Sequence, residues 1–170
     1  GTFLLRDLCP GSCGARAWSI GVMAALGDAL LFVANDGVHG LELWRTDGTA
    51  AGTTVAADIA PGPESSSPWQ LRTVGDQVIF RAGTAGAGLE LWQVDGGFPT
   101  AQPVAELYPG IESSAPLMLE TADESLYFVA DDGVVGRELW EVDRPSVAPC
   151  AADATTLCLN ASRFRVTADW

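Results

Sequence analysis

Short runs rich in apolar residues come in pairs along this chain, and a tight polar turn separates the two runs of each pair. The pairs are residues 22–26 with 29–34, 70–74 with 77–82, and 117–121 with 125–130. Gly-Asp or Asp-Glu lies between the runs, which is typical of a β-hairpin. No apolar period near 3.6 residues is sustained, and Gly or Pro interrupts at every turn, so the pattern predicts strands and no helices.

The tripeptide Glu-Leu-Trp follows each pair of runs, at residues 42–44, 90–92 and 138–140, so each copy begins 48 residues after the last. Phe32, Phe80 and Phe128 keep the same spacing. A further strand-like run follows at residues 53–59 and 103–107. A fixed period in this range is the signature of a repeat architecture.

Four short strands in each unit match the size of a β-propeller blade. We therefore predict an all-β fold of tandem four-stranded blades of β-propeller type. The three blades would form an incomplete propeller, because closed propellers have about four to eight.

The domain organisation follows from the same alignment. Residues 1–143 are predicted to form three repeats, and residues 1–8 match 52–59, as if they were the last strand of a preceding blade. Residues 144–149 contain two prolines and are predicted to be a linker. Residues 150–170 are predicted to be the truncated start of a small disulfide-containing β module. We accordingly expect the chain to be a fragment of a longer protein.

The charge balance narrows the class of partner. The chain has 22 acidic and 9 basic residues, a net charge of -13, and all the basic residues are arginine. Binding to nucleic acid needs basic surface, so we expect no nucleic-acid partner. No apolar run approaches the ~18–20 residues of a membrane helix, so we expect no membrane insertion.

The four cysteines form two close pairs, which suggest local disulfides formed in an oxidising compartment. The pairs are Cys9 with Cys13 and Cys150 with Cys158. A zinc site is the alternative, but it requires the pairs to converge, and Cys-x3-Cys with Cys-x7-Cys is poor ligand spacing.

The first unit reads Glu-Leu-Trp-Arg-Thr-Asp-Gly-Thr at residues 42–49, with Gly52-Thr53 downstream and Asp-Ile-Ala-Pro-Gly at 58–62. This motif resembles the ELWxxDGT repeat proteins of bacteria, and three copies cover residues 1 to about 143. The second copy departs from the pattern at Gly97, and the third loses Asp-Gly-Thr after Asp143. The resemblance implies a secreted or surface-exposed, propeller-like repeat domain without a defined activity. Residues 153–160 and 163–166 also resemble a small β module near the C-termini of exported bacterial proteins.

The repeated glutamates and tryptophans are predicted to be structural. Alternation places Glu and Trp of each strand on one face and Leu on the other, so the glutamates are partly buried. A buried carboxylate needs hydrogen-bond donors, and the Gly-rich loop before each strand is the expected source of backbone N–H groups. The predicted structural residues are Glu42, Trp44, Glu90, Trp92, Glu138 and Trp140.

Two binding alternatives remain open. Asp131, Asp132 and Glu138 offer the hard oxygen ligands that Ca²⁺ takes, and Asn35, Asp36 and Glu42 repeat the arrangement. The second unit lacks the acidic loop residues, so at most two of the three loops would serve. Trp18 and Trp69 lie in or beside the loops and would stack on a carbohydrate if exposed.

Catalysis has little support in the sequence. His39 has no second histidine to pair with, and the serines at 65–67 have no identifiable base. We expect a non-enzymatic scaffold without a cofactor, secreted or on the cell surface, in the extracellular or periplasmic space. Its expected partners are an unknown protein or glycan and further blades of the same full-length chain. The alternatives are a carbohydrate- or calcium-binding propeller module, and a fragment of an enzyme whose active site lies in missing blades.

Overall fold

The computed structural model of this chain describes residues 1–11, 22–97, 100–105, 107–122, 125–142 and 165–166. Within these ranges the secondary structure is entirely β, with twelve strands in three four-stranded sheets and no helix. The predicted all-β class is confirmed.

The strands follow one another along the chain in three groups of four. The first sheet contains β1 (Met23–Leu26), β2 (Ala29–Asn35), β3 (Leu41–Thr46) and β4 (Thr54–Ala57). The second contains β5 (Trp69–Val74), β6 (Gln77–Thr84), β7 (Gly88–Asp95) and β8 (Gln102–Ala105). The third contains β9 (Leu117–Ala122), β10 (Ser125–Asp131), β11 (Arg137–Val142) and β12 (Arg165–Val166).

Every sheet is an antiparallel meander in which each strand pairs with the next one along the chain. Glycines at the first two hairpin turns, Gly27 and Gly75, have positive φ, which glycine adopts without steric cost. The same phenylalanine–tryptophan pair faces across the second and third strands of every sheet. These pairs are Phe32 with Trp44, Phe80 with Trp92, and Phe128 with Trp140.

The fourth strand of the third sheet comes from further along the chain than in the other two sheets. Val166 lies opposite Trp140, as Val55 lies opposite Trp44 in the first sheet. Residues 165–166, which the sequence assigned to a separate module, thus pair with the third sheet. The rest of 143–170 lies outside the described residues, so the linker and the module remain predictions.

One hydrophobic cluster joins the first sheet to the second. Leu31, Val33 and Leu43 of the first sheet and Val78 and Phe80 of the second are at most 5% exposed and belong to this cluster. Each of these larger side chains contributes roughly 1.5–3 kcal/mol when removed from water. The two sheets therefore pack face to face through apolar side chains.

A second cluster joins the second sheet to the third. Ile79 and Leu91 of the second sheet pack with Phe128, Leu126 and Trp140 of the third. The second sheet thus buries both of its faces, which explains why β6 carries three consecutive buried residues. The alternating pattern expected of a half-exposed strand is lost where both faces are covered.

Two glycines lie where the loops between the sheets press closest to a strand. A Cβ at Gly40 would lie 1.8 Å from the backbone oxygen of Glu64, and one at Gly88 would lie 2.0 Å from that of Glu112. Gly136, the third glycine of this series, has positive φ as well, but a Cβ there meets nothing within 4 Å. Only the first two therefore require glycine for space as well as for φ.

We predict that Gly88→Ala and Gly40→Ala each lower the free energy of unfolding by about 3 kcal/mol or more, since backbone must move to admit the methyl group. Gly136→Ala is the matched control and should cost about 1–2 kcal/mol, because only its φ is unfavourable. Urea unfolding followed by tryptophan fluorescence measures the three values. Equal losses in the three variants would contradict the predicted close approach.

Candidate functional site

Glu42 is the most completely buried charged residue of the first sheet, with 0% of its surface exposed. Its Oε2 accepts hydrogen bonds from the backbone N–H of Ile59 at 2.9 Å and from the hydroxyl of Ser66 at 2.6 Å. Its Oε1 accepts from the backbone N–H of Ser66 at 2.8 Å and from that of Ala60 at 3.3 Å. The carboxylate is therefore held by four donors, as a buried charge requires.

Glu90 occupies the same position in the second sheet and is 2% exposed. Its Oε2 accepts from the backbone N–H of Leu107 at 3.2 Å and from the hydroxyl of Ser114 at 2.6 Å. Its Oε1 accepts from the backbone N–H of Ser114 at 2.9 Å. The two glutamates lie 48 positions apart, and so do the two serines that bind them.

Each of these serines also binds the following sheet. The backbone oxygen of Ser66 accepts from the N–H of Gly83 at 2.9 Å, and that of Ser114 accepts from the N–H of Asp131 at 3.0 Å. We call the sets Glu42–Ser66–Gly83 and Glu90–Ser114–Asp131 the Glu–Ser bridges. Each bridge joins the third strand of one sheet to the second strand of the next.

The loop conformation that presents the serines is unusual for these residue types. Ser67 and Ala115, which follow the two bridging serines, have φ of 50° and 43°. Their N–H groups donate to the backbone oxygens of Leu41 at 3.1 Å and Leu89 at 3.2 Å. The left-handed conformation of a non-glycine residue costs roughly 1–2 kcal/mol. The hydrogen bonds of the neighbouring residues offset this cost.

Burial raises the pKa of the Glu42 carboxyl, and the hydrogen bonds from Ser66, Ile59 and Ala60 only partly oppose this effect. Because the pKa is higher in the folded than in the unfolded chain, ionisation of Glu42 costs stability at neutral pH. That cost is relieved as the pH falls through the folded-state pKa. The buried carboxylate therefore lowers the stability of the fold at neutral pH, and the hydrogen bonds of the bridge limit this cost.

Glu138, the third glutamate of the series, is partly exposed and less buried than the other two. The segment that would correspond to the donors of Glu42 lies outside the described residues. The predicted structural role of Glu138 therefore remains a prediction.

The donors to Glu42 and Glu90 belong to different segments from those expected. The sequence pointed to the Gly-rich loop before each strand, whereas the donors found lie after the fourth strand and in the Ser-rich loop. Ser66 and Ser114 were not singled out as bridge residues. Their shared spacing of 48 positions was the available signal, but only the folded chain brings them to the glutamates.

The three periodic tryptophans differ in burial. Trp44 and Trp140 are 4% and 6% exposed, and Trp92 is half-buried. The indole N–H of Trp140 donates to the backbone oxygen of Ala130 at 3.1 Å. Trp69, a candidate for carbohydrate stacking, is half-buried and packs against the first hydrophobic cluster. Trp18, the other candidate, lies outside the described residues.

The carboxylates proposed as calcium ligands accept hydrogen bonds within their own loops. Asp132 Oδ1 accepts from the N–H groups of Val134 and Val135, and Asp131 Oδ1 accepts from that of Gly133. In the part of the chain that the structure describes, no group of three or more His, Cys, Asp or Glu side chains is arranged to hold a metal ion. Calcium binding remains an alternative prediction.

Asp36 and His39 form a side-chain pair at the turn between β2 and β3. The Nδ1 of His39 lies 2.8 Å from Oδ2 of Asp36, whose Oδ1 accepts from the N–H groups of Val38 and His39. The hydrogen bond to Asp36 raises the pKa of His39. Burial acts to raise the pKa of Asp36, but the hydrogen bonds from His39 and Val38 lower it overall.

Cys9 is 4% exposed, in the segment that precedes the first sheet. Its predicted partner Cys13 lies outside the described residues, as do Cys150 and Cys158. Both disulfides therefore remain predictions.

Comparisons of the chain with protein-family models, with curated proteins and with solved structures found no match. In the described ranges, no helix has the length and apolar character required to cross a membrane. Inferences about function therefore depend on the geometry of the sheets, the bridges and the loops.

We predict that Glu42→Gln and Glu90→Gln each destabilise the fold by about 2 kcal/mol, because the amide nitrogen faces backbone and hydroxyl donors. This value allows for the stability that is regained because the neutral amide, unlike the carboxylate, places no charge in the interior. Glu64→Gln, an exposed glutamate in the same Ser-rich loop, is the control and should change stability by less than about 0.5 kcal/mol. Chemical unfolding at neutral pH measures all three, and a neutral effect at both buried positions would refute the role of the bridges.

The single histidine allows a direct test of the turn. We predict a pKa of His39 above the ordinary 6.5, and a return toward that value in Asp36→Asn. The stability that the fold gains from the contact between protonated His39 and Asp36 is fully present below pH 6.5. It is lost as the pH rises through the folded-state pKa of His39. Titration of the imidazole signals by NMR measures both values. An unchanged pKa in Asp36→Asn would show that the contact does not form in solution.

Proposed function

We propose that this chain is a non-enzymatic scaffold of propeller-type repeats that displays its loops to a protein or ligand partner outside the cell. The observation that supports it best is the Glu–Ser bridge, which occurs twice at positions 48 residues apart and joins consecutive sheets. The buried glutamates of these bridges, which would otherwise most suggest a catalytic or binding role, thereby serve to hold the sheets together. The loops carry further exposed side chains, among them Val38, Ile111 and Val134.

The contacts between first strands favour a propeller-type arrangement. β1 contacts β5 and β6, and β5 contacts β9. The hydroxyl of Thr73 donates to the backbone oxygen of Ala25 at 2.6 Å, and Arg72 pairs with Glu120 at 3.3 Å. Both contacts join positions 48 residues apart. Propeller blades approach one another most closely at their innermost strands, so β1, β5 and β9 would line the axis.

The resemblance to the ELWxxDGT repeat proteins supports the same proposal and adds an exported location. The acidic net charge of -13 suits a soluble exported protein and disfavours nucleic-acid binding. The predicted disulfides agree with an oxidising compartment. The location outside the cell, the bacterial source and the protein or ligand partner are likewise proposed.

A carbohydrate- or calcium-binding module is the second candidate. The features that favour it are the half-buried Trp69 and two acidic residues, Asp131 at the end of β10 and Asp132 directly after it. Both aspartates already accept backbone hydrogen bonds, so a cation would have to compete with the turns. The scaffold proposal therefore has the stronger structural support.

A pair of binding assays separates the two candidates. If the chain is a scaffold without a cation or sugar site, its melting temperature should be the same with Ca²⁺ and with EDTA, and a glycan array should retain none of it. Saturating Ca²⁺ at 100 times its Kd would stabilise the fold by about 2.7 kcal/mol, which is easily detected. A Ca²⁺-dependent rise that Asp132→Asn abolishes, or retention on a glycan, would replace the scaffold proposal with the second candidate.

A further inference from the structure

Four large aromatic or aliphatic side chains lie close together where the loop between the second and third sheets passes the turn between β10 and β11. A Cβ at Gly133 would lie 2.6 Å from Cζ of Tyr108, so the tyrosine ring lies against this turn. Val134 and Val135 follow Gly133 in the turn, and Ile111 lies three residues after Tyr108, a reach of at most about 11 Å. We call Tyr108, Ile111, Val134 and Val135 the apolar patch.

Three of the four side chains of the apolar patch are exposed to water. Ile111 is 74% exposed, Val134 is 86% exposed and Val135 is 56% exposed, while Tyr108 is half-buried. Single exposed apolar residues are ordinary on a protein surface, whereas a contiguous group of them is typical of an interaction site. The apolar patch therefore has the character of a surface that binds a partner.

The loop that carries Ile111 has a fixed path. It starts at Tyr108, whose ring lies against Gly133, and it ends at Ser114, whose backbone oxygen accepts a hydrogen bond from the N–H of Asp131. Both ends of the loop thus contact the same part of the third sheet. A surface that is already ordered loses little conformational entropy when a partner binds to it.

The stacking of the sheets does not require the large side chains of the apolar patch. The same positions between the first and second sheets, 48 residues earlier, hold the smaller residues Ala60, Pro63, Gly86 and Ala87. Those two sheets nevertheless pack through an apolar cluster and a Glu–Ser bridge. The bulk of the patch therefore serves something other than contact between neighbouring sheets.

Carboxylates flank the apolar patch. Glu112 is exposed in the loop, and Asp131 and Asp132 stand at the start of the turn that carries the two valines. Arg137, at the start of β11, is the basic residue nearest to this turn in the sequence. Acidic groups thus predominate around the patch. They repel a partner with acidic side chains and attract arginine or lysine.

Asp132 stays ionised at neutral pH. Its Oδ1 accepts hydrogen bonds from the N–H groups of Val134 and Val135, which lower the pKa of this carboxyl. The turn that displays the valines therefore carries a fixed negative charge beside them. Anionic membranes have the same sign of charge and are repelled, so the charge favours a protein over a lipid surface.

We propose that the apolar patch docks a segment of a partner protein in which apolar side chains stand beside arginine or lysine. The apolar side chains cover Ile111 and Val134, and the basic groups pair with Glu112 and Asp132 at the rim. An apolar centre with a polar rim is the common arrangement of protein interfaces. The inference rests on the proposed function, because a scaffold that displays its loops binds its partner through them.

Selection from a phage-displayed library of random peptides against the whole chain tests the proposal. The selected peptides should combine apolar residues with arginine or lysine, and their binding should weaken as the salt concentration rises. Ile111→Ser and Val134→Ser should each raise the Kd of these peptides by about tenfold, because each removes an apolar side chain from the contact. A library that yields no binding peptide, or only peptides without basic residues, would overturn the proposal.

Val38→Ser is the matched control, because Val38 holds the position of Val134 in the first sheet and is 63% exposed. The Kd of this variant should equal that of the unsubstituted chain. All three variants should keep its melting temperature, since the substituted side chains are already in water. Peptide binding that survives both Ile111→Ser and Val134→Ser would overturn the role of the patch. It would leave the scaffold proposal standing, because the chain would then bind a protein through another surface.

Two further measurements test the charge at the rim. Glu112→Gln should raise the Kd of the selected peptides by about twofold or more and reduce its dependence on salt. An unchanged Kd with the same salt dependence would overturn the pairing at Glu112. Vesicles that contain phosphatidylglycerol should not bind the chain. Vesicle binding that Val134→Ser abolishes would replace the protein partner with a lipid surface.

Discussion

The buried carboxylates of Glu42 and Glu90 impose the constraint on which the rest of the structure depends. Each must find several donors away from water, and the nearest donors lie at the end of the same sheet and in the loop to the next one. Satisfying the charge therefore fixes where that loop runs. The loop then carries a serine whose backbone oxygen binds the following sheet. A local requirement for hydrogen bonds thereby sets the spacing between sheets.

Apolar packing and the Glu–Ser bridges act at different places and reinforce each other. The hydrophobic clusters fill the space between the sheet faces, but such packing is not directional. The bridges are directional, because a carboxylate accepts only where donors point at it. Together they allow one arrangement of neighbouring sheets. The close approach of the loops to Gly40 and Gly88 follows from this arrangement.

The middle sheet shows what each sheet needs to be fully buried. It has a neighbour on both faces, and Val78, Ile79 and Phe80 are all 2% exposed or less. The outer sheets have the same pattern of residues with one neighbour each, so Leu139 and Met23 remain in contact with water. Equivalent positions therefore differ in burial because their sheets have different numbers of neighbouring sheets, and not because their residue types differ.

The sequence by itself determined the strands, the hairpin turns and the spacing of 48, because alternation and turn chemistry are local properties. It also identified Glu42 and Glu90 as structural candidates through their position beside tryptophan. Only the tertiary structure decided which donors meet them, since Ser66 lies 24 residues from Glu42 and approaches it only after the loop has folded back. The stacking of the sheets likewise decided which copies of the Glu-Leu-Trp motif are buried. The exposure of Leu139 depends on whether a neighbouring sheet covers it and not on its own strand.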